Sequence, residues 1–149
     1  MKKVFLGLAE SELDPVFLTL DKILFEMQSK GVVPIVLLSG SMGAGKTTFV
    51  RNWFSRFTTK SQVNSPSFSL YNVYDSDQFR LYHFDLYRIQ NPTEFAELGF
   101  EEIWGEDGVS IIEWWEKGRD IIPQIGRIHI EIHFEDLETR DYTIDWSEK

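Results

Sequence analysis

The sequence predicts an α/β fold built on a mixed, partly antiparallel central sheet flanked by helices, and three observations predict it. Ile35-Val36-Leu37-Leu38 is wholly apolar, as a strand buried on both faces must be. Apolar stripes at helical spacing lie on either side of it: Val16, Leu20, Ile23, Leu24 and Met27 before, and Phe49, Val50, Trp53, Phe54 and Phe57 after. Residues 68–74 and 79–85 alternate around the turn cluster Asp75-Ser76-Asp77, which reads as an antiparallel hairpin.

The elements follow in order. Residues 4–8 make a short first strand. Asp14-Pro15 then starts a helix, with Asp as N-cap and Pro at the first helical position, and Gly31 sits where a terminating glycine belongs. Pro34 enters the apolar strand at its start, where the missing N–H is tolerated. Asn91-Pro92 begins a short helix that Gly99 closes, and residues 108–114 form another strand, apolar until it ends on Glu113. Residues 127–134 and 140–146 alternate with period two and pair as a terminal hairpin.

Composition narrows the function classes. A chain of 149 residues is long enough for one cored domain spanning 1–149. It has no cysteine, so disulfides and thiolate metal sites are excluded. The basic, apolar start at residues 1–8 is too short for a signal peptide and runs into Glu10, Glu12 and Asp14; a cytoplasmic protein is expected. With 15 basic against 24 acidic residues, the net charge of −9 argues against strong direct nucleic-acid binding by this chain alone.

The stretch between the apolar strand and the second helix carries the chemistry. Gly40-Ser41-Met42-Gly43-Ala44-Gly45-Lys46-Thr47 has the Gly-x-x-x-x-Gly-Lys-Thr spacing of a phosphate-binding loop, and Thr48 continues it into the helix. Glycines let the backbone curl until its N–H groups converge on phosphate oxygens. Lys46 supplies a cation for the β- and γ-phosphates, and the Thr47 hydroxyl suits a bound Mg²⁺. The helix N-terminus adds its dipole to the same anion site.

Such a site also needs a carboxylate for Mg²⁺ and a group that orients the attacking water or acceptor. Two acids end apolar strands, Asp85 and Glu113, and the sequence does not divide metal and water duties between them. Ser67, in Ser65-Pro66-Ser67, is a candidate switch contact to Mg²⁺ or the γ-phosphate. Arg88 is a candidate for neutralising phosphate charge, with a surface arginine as the plainer reading. His83, His129 and His133 lie in alternating strands without a partner pattern and read as structural.

Together these residues resemble the bacterial TsaE (YjeE) family of ATPases. The likeness lies in the loop at residues 40–49, Ser65-Pro66-Ser67-Phe68, His83-Phe84-Asp85-Leu86-Tyr87-Arg88, Glu97-Leu98-Gly99 and Ile112-Glu113-Trp114. It implies a three-layer, P-loop NTPase-like fold and weak hydrolysis of ATP to ADP. It further implies work alongside TsaD and TsaB in the threonylcarbamoylation of tRNA adenosine 37. Carried over by position, Lys46 and the loop amides hold phosphate, Thr47 and Glu113 fall at Mg²⁺-linked positions, Asp85 supports the metal or its water, and Trp114 lies beside the site. Ser67 departs from the family's usual threonine but keeps the hydroxyl.

Two other classes compete. A small-molecule kinase of the shikimate kinase type uses a similar loop, and Asp75-Ser76-Asp77 looks like its substrate segment. The chain, however, lacks a Gly-Gly-Gly segment and an arginine-rich lid for an anionic acceptor. A Ras-like GTPase would need a guanine-reading Asn-Lys-x-Asp, which is missing. The non-enzymatic alternative is a nucleotide-gated binding module with incidental hydrolysis.

Overall fold

A computed structural model describes residues 1–59, 63–66, 70–104, 106–134 and 136–147. Seven strands form one sheet: β1 (Lys2–Ala9), β2 (Ile35–Ser39), β3 (Tyr71–Asp75), β4 (Arg80–Asp85), β5 (Val109–Glu113), β6 (Arg127–Phe134) and β7 (Thr139–Trp146). Their order is β1-β7-β6-β2-β5-β4-β3. The four central strands, β6-β2-β5-β4, run parallel, and each edge is extended antiparallel, by β7 and β1 on one side and β3 on the other. The mixed sheet flanked by helices is the fold that the sequence predicts.

Burial follows residue parity along the strands. Val36, Leu38 and Ile111 join the core beneath helices α1 (Asp14–Ser29) and α2 (Lys46–Phe54). Ile35, Leu37 and Ile112 face the opposite core, filled by Phe95, Phe100 and Trp104 around α3 (Thr93–Leu98) and α4 (Phe100–Ile103). Each such side chain contributes about 1.5–3 kcal/mol on burial, which is why β2 reads as an unbroken apolar run.

Three local features refine the sequence reading. Asp14 is the first residue of α1, with Leu13 at the N-cap and no side-chain cap, so the proline rather than the aspartate marks the start. The helix closes as expected: Gly31, at φ +76°, donates to the Gln28 carbonyl, and Val32 donates to that of Met27. Helix α4 was not legible, because four residues are too few to show a period. The Asp75-Ser76-Asp77 segment is the β3–β4 turn, with the Ser76 N–H donating to the Phe79 carbonyl at 3.1 Å.

Candidate functional site

Helix α2 begins at Lys46, directly after Gly45 at φ +100°. Its first closing bond runs from the Phe49 N–H to the Gly45 carbonyl. Helix geometry therefore leaves the amides of residues 46–48 without intrahelical acceptors, aimed back over the loop. Gly40 packs tightly: a Cβ there would stand 3.1 Å from both the Ala44 Cβ and the Ile132 carbonyl oxygen. The Ala44 N–H donates to the Ser41 carbonyl at 2.9 Å, and the Ala44 carbonyl accepts from Arg140 Nε at 3.0 Å. Gly40, Ser41 and Ala44 frame the loop, while Met42, Gly43, Gly45, Lys46, Thr47 and Thr48 line a cleft of about 320 Å³.

The opposite wall of this cleft is Ser65, Asp85, Tyr87, Glu113 and Trp114. Asp85 and Glu113 end neighbouring parallel strands and are register partners. Parity turns both toward the α2 face, since they alternate in step with Leu81 and Ile111. Thr47 Oγ1 lies 3.4 Å from Glu113 Oε2, a long contact between helix and strand. Lys46 Nζ donates to the Gly40 carbonyl at 2.8 Å and stands 4.3 Å from the Trp114 ring centroid. Trp114 reaches that position by leaving β5 in the left-handed region, at φ +54°, a conformation that costs a non-glycine residue about 1–3 kcal/mol. Its indole also packs on Tyr87, with ring centroids 4.9 Å apart.

The two acids are in different states. Glu113 is almost fully buried at 3% exposure, whereas Asp85 is half-buried. Desolvation pushes the Asp85 carboxyl above its ordinary range. A bond from the Tyr87 N–H at 3.0 Å opposes that push, and the Glu113 charge adds to it. Among the described residues no three His, Asp or Glu side chains are grouped so as to hold a metal by themselves. The donor set of one hydroxyl and two carboxylates nonetheless fits Mg²⁺, which uses few protein oxygens and completes its shell with water and phosphate.

The predicted site residues lie on the loop or its facing wall with two exceptions: Ser67 falls outside the described residues, and Arg88 is exposed and does not line the cleft. Sequence reasoning missed His83. It is fully buried, and its Nε2 lies 2.6 Å from Glu113 Oε2, a partner that no sequence pattern had shown. A signal existed: His83 precedes Asp85 by two, and strand alternation puts both on one face. His133 also has a partner, Glu131 at 2.9 Å, on the exposed sheet surface. A second hollow of about 230 Å³, unplaced by the sequence, lies against the same loop at Gly43, Gly45 and Thr48, with Leu13, Phe49, Arg140 and Tyr142 around it.

Fold and loop define the class: an α/β protein whose Gly-x-x-x-x-Gly-Lys-Thr segment joins a central parallel strand to a helix. Within that class the chain belongs to the TsaE family; the model of the family described as threonylcarbamoyl adenosine biosynthesis protein TsaE matches residues 17–142. A Haemophilus influenzae protein named tRNA threonylcarbamoyladenosine biosynthesis protein TsaE is 35% identical over 103 residues, covering 69% of this chain and 65% of that protein. A Rickettsia prowazekii protein of the same name is 46% identical over 83 residues, covering 55% and 57%. The chain thus spans less than two thirds of the length of these two relatives. The crystal structure of Bacillus subtilis YdiB shares the fold, with a TM-score of 0.61 and 23% identity over 97% of this chain and 83% of that one.

Proposed function

We propose that this chain is an ATPase that binds Mg-ATP in the cleft between loop 40–48 and the β4–β5 strand ends. We further propose that it hydrolyses ATP slowly alone and supports a TsaB–TsaD pair in threonylcarbamoylation of tRNA adenosine 37. One observation carries the reading: Lys46, Thr47, Asp85 and Glu113, spread over 67 positions of the sequence, line one cleft at a helix N-terminus. That assembly has the parts phosphoryl transfer needs, namely a cation, free amides and oxygen ligands. Family membership supports the tRNA-modification context.

In this reading Lys46 leaves the Gly40 carbonyl for the β- and γ-phosphates, where its charge offsets that developing as the γ-phosphoryl group is transferred. Thr47 and Glu113 would hold Mg²⁺, which supplies charge neutralisation across the phosphates. Asp85, with its carboxyl raised above its ordinary range by desolvation and Oδ1 fixed by the Tyr87 amide, orients the attacking water. Water adds to the γ-phosphorus as the bond to the β-γ bridging oxygen breaks, giving ADP and phosphate. The second hollow, floored by Phe49 and sharing Gly43, Gly45 and Thr48, takes the nucleoside. The net charge of −9 fits a partner holding the tRNA.

Calorimetric titration of ATP and ADP, with and without Mg²⁺, tests the binding half of this proposal. Binding that Mg²⁺ strengthens and Lys46→Ala abolishes is the expected result. Equal binding by Lys46→Ala would remove the nucleotide from this loop.

A further inference from the structure

Glu113 is a buried carboxylate at the end of a buried strand, and such a group needs donors to stay ionised and fixed. The Thr47 hydroxyl stands at 3.4 Å, too far to hold it firmly. The close donor is His83. Its Nε2 lies 2.6 Å from Glu113 Oε2, while its Nδ1 has no hydrogen-bond partner among the described residues. A neutral imidazole protonated at Nε2 satisfies this arrangement, with the lone pair left on Nδ1. The ring cannot turn away, because His83 is fully buried and its strand pairs with β3 on one side and β5 on the other.

We infer that His83 is a positioning residue for the metal-linked carboxylate: it anchors Oε2 of Glu113, the oxygen nearest Thr47, and so fixes the orientation in which that carboxylate would meet Mg²⁺. This rests on the assignment of Glu113 to Mg²⁺ made above. Ligating carboxylates depend on such outer partners, and their loss typically costs about 10–100-fold in metal affinity. His83 touches neither nucleotide nor metal in this scheme, so its removal should alter the metal's contribution and spare metal-free nucleotide binding.

The test compares His83→Gln with His83→Asn. The glutamine amide nitrogen reaches the Nε2 position, while that of asparagine stops near Nδ1, so the two variants keep a polar group at different reach. The readout is displacement of a fluorescent ADP analogue, in EDTA and across a Mg²⁺ titration, on protein shown to be folded by thermal melting. For His83→Asn the expected result is an about 10–100-fold higher Mg²⁺ concentration for half-maximal tightening. Its affinity in EDTA should be unchanged, and His83→Gln should stay close to wild type. If both variants titrate Mg²⁺ like wild type, or weaken binding equally in EDTA, His83 only fills space and the inference is overturned. If the wild-type chain binds the analogue but gains nothing from Mg²⁺, the assignment of Glu113 fails and this inference fails with it. If wild type binds no nucleotide at all, the proposed function itself is overturned.

Discussion

Asp85 and Glu113 face each other across the parallel β4–β5 pairing, one half-buried and one almost fully buried, on the sheet face that α2 covers. The fold gains nothing from placing Asp85 beside Glu113, since the Glu113 charge disfavours that of Asp85. Desolvation first, and the Glu113 charge in addition, raise the Asp85 carboxyl above its ordinary value. The folded chain therefore holds this proton more tightly than the unfolded chain. The corresponding stability is fully present below the unfolded pKa and is lost as pH rises through the folded one. Asp85→Asn should melt higher than wild type at about pH 7 and match it near pH 3.5, roughly the lower edge of the carboxylate range. The same variant should hydrolyse ATP about 100-fold more slowly. Parallel melting curves and rates check both; a melting difference that does not change with pH would contradict the desolvation argument.

Arg140 sets a second expectation. It reaches from β7 to the Ala44 carbonyl at 3.0 Å, fixing the loop from the side of the second hollow. A charged hydrogen bond of this kind is worth about 1.5–3 kcal/mol. Arg140→Gln should weaken nucleotide binding about tenfold, which is the lower end of that range, and leave the Mg²⁺ dependence as in wild type. Titration of nucleotide in EDTA and in Mg²⁺ separates the two effects.

Backbone geometry gives a third. Gly126 has φ +88°, and an added Cβ would lie 2.4 Å from the Val33 carbonyl oxygen, where β6 starts beside β2. Gly31 also has positive φ, but its Cβ would meet nothing within 4 Å. Gly31→Ala should cost about 1–2 kcal/mol, from the left-handed backbone alone. Gly126→Ala adds a backbone collision and should cost about 4 kcal/mol or more. Urea unfolding of both variants measures the difference, and equal costs would contradict it.

What could be read from the sequence was local. The strand at Ile35, the glycine loop and the stripe from Phe49 to Phe54 announce themselves within twenty residues, so β2, loop and α2 appear where the spacing puts them. Both hairpins were legible for the same reason, as short alternating runs about a turn. The placement of β6 beside β2, opposite β5, was not, because a parallel pairing across ninety residues leaves no local pattern. The site divides the same way. Asp85 and Glu113 were visible as acids at strand ends, but the His83–Glu113 contact exists only through the register of β4 against β5. Alternation states which face a side chain takes and not what it meets there.

The central claim is that this cleft turns over ATP in the service of a partner pair. The measurement that tests it most directly is ATP hydrolysis by the purified chain, with and without TsaB and TsaD, with Lys46→Ala as control. Slow turnover that rises when the pair is added, and falls by at least about 100-fold in Lys46→Ala, is the expected result. A rate indifferent to the pair, with rapid ADP release on adding shikimate or a similar acceptor, would contradict the account and make the protein a small-molecule kinase.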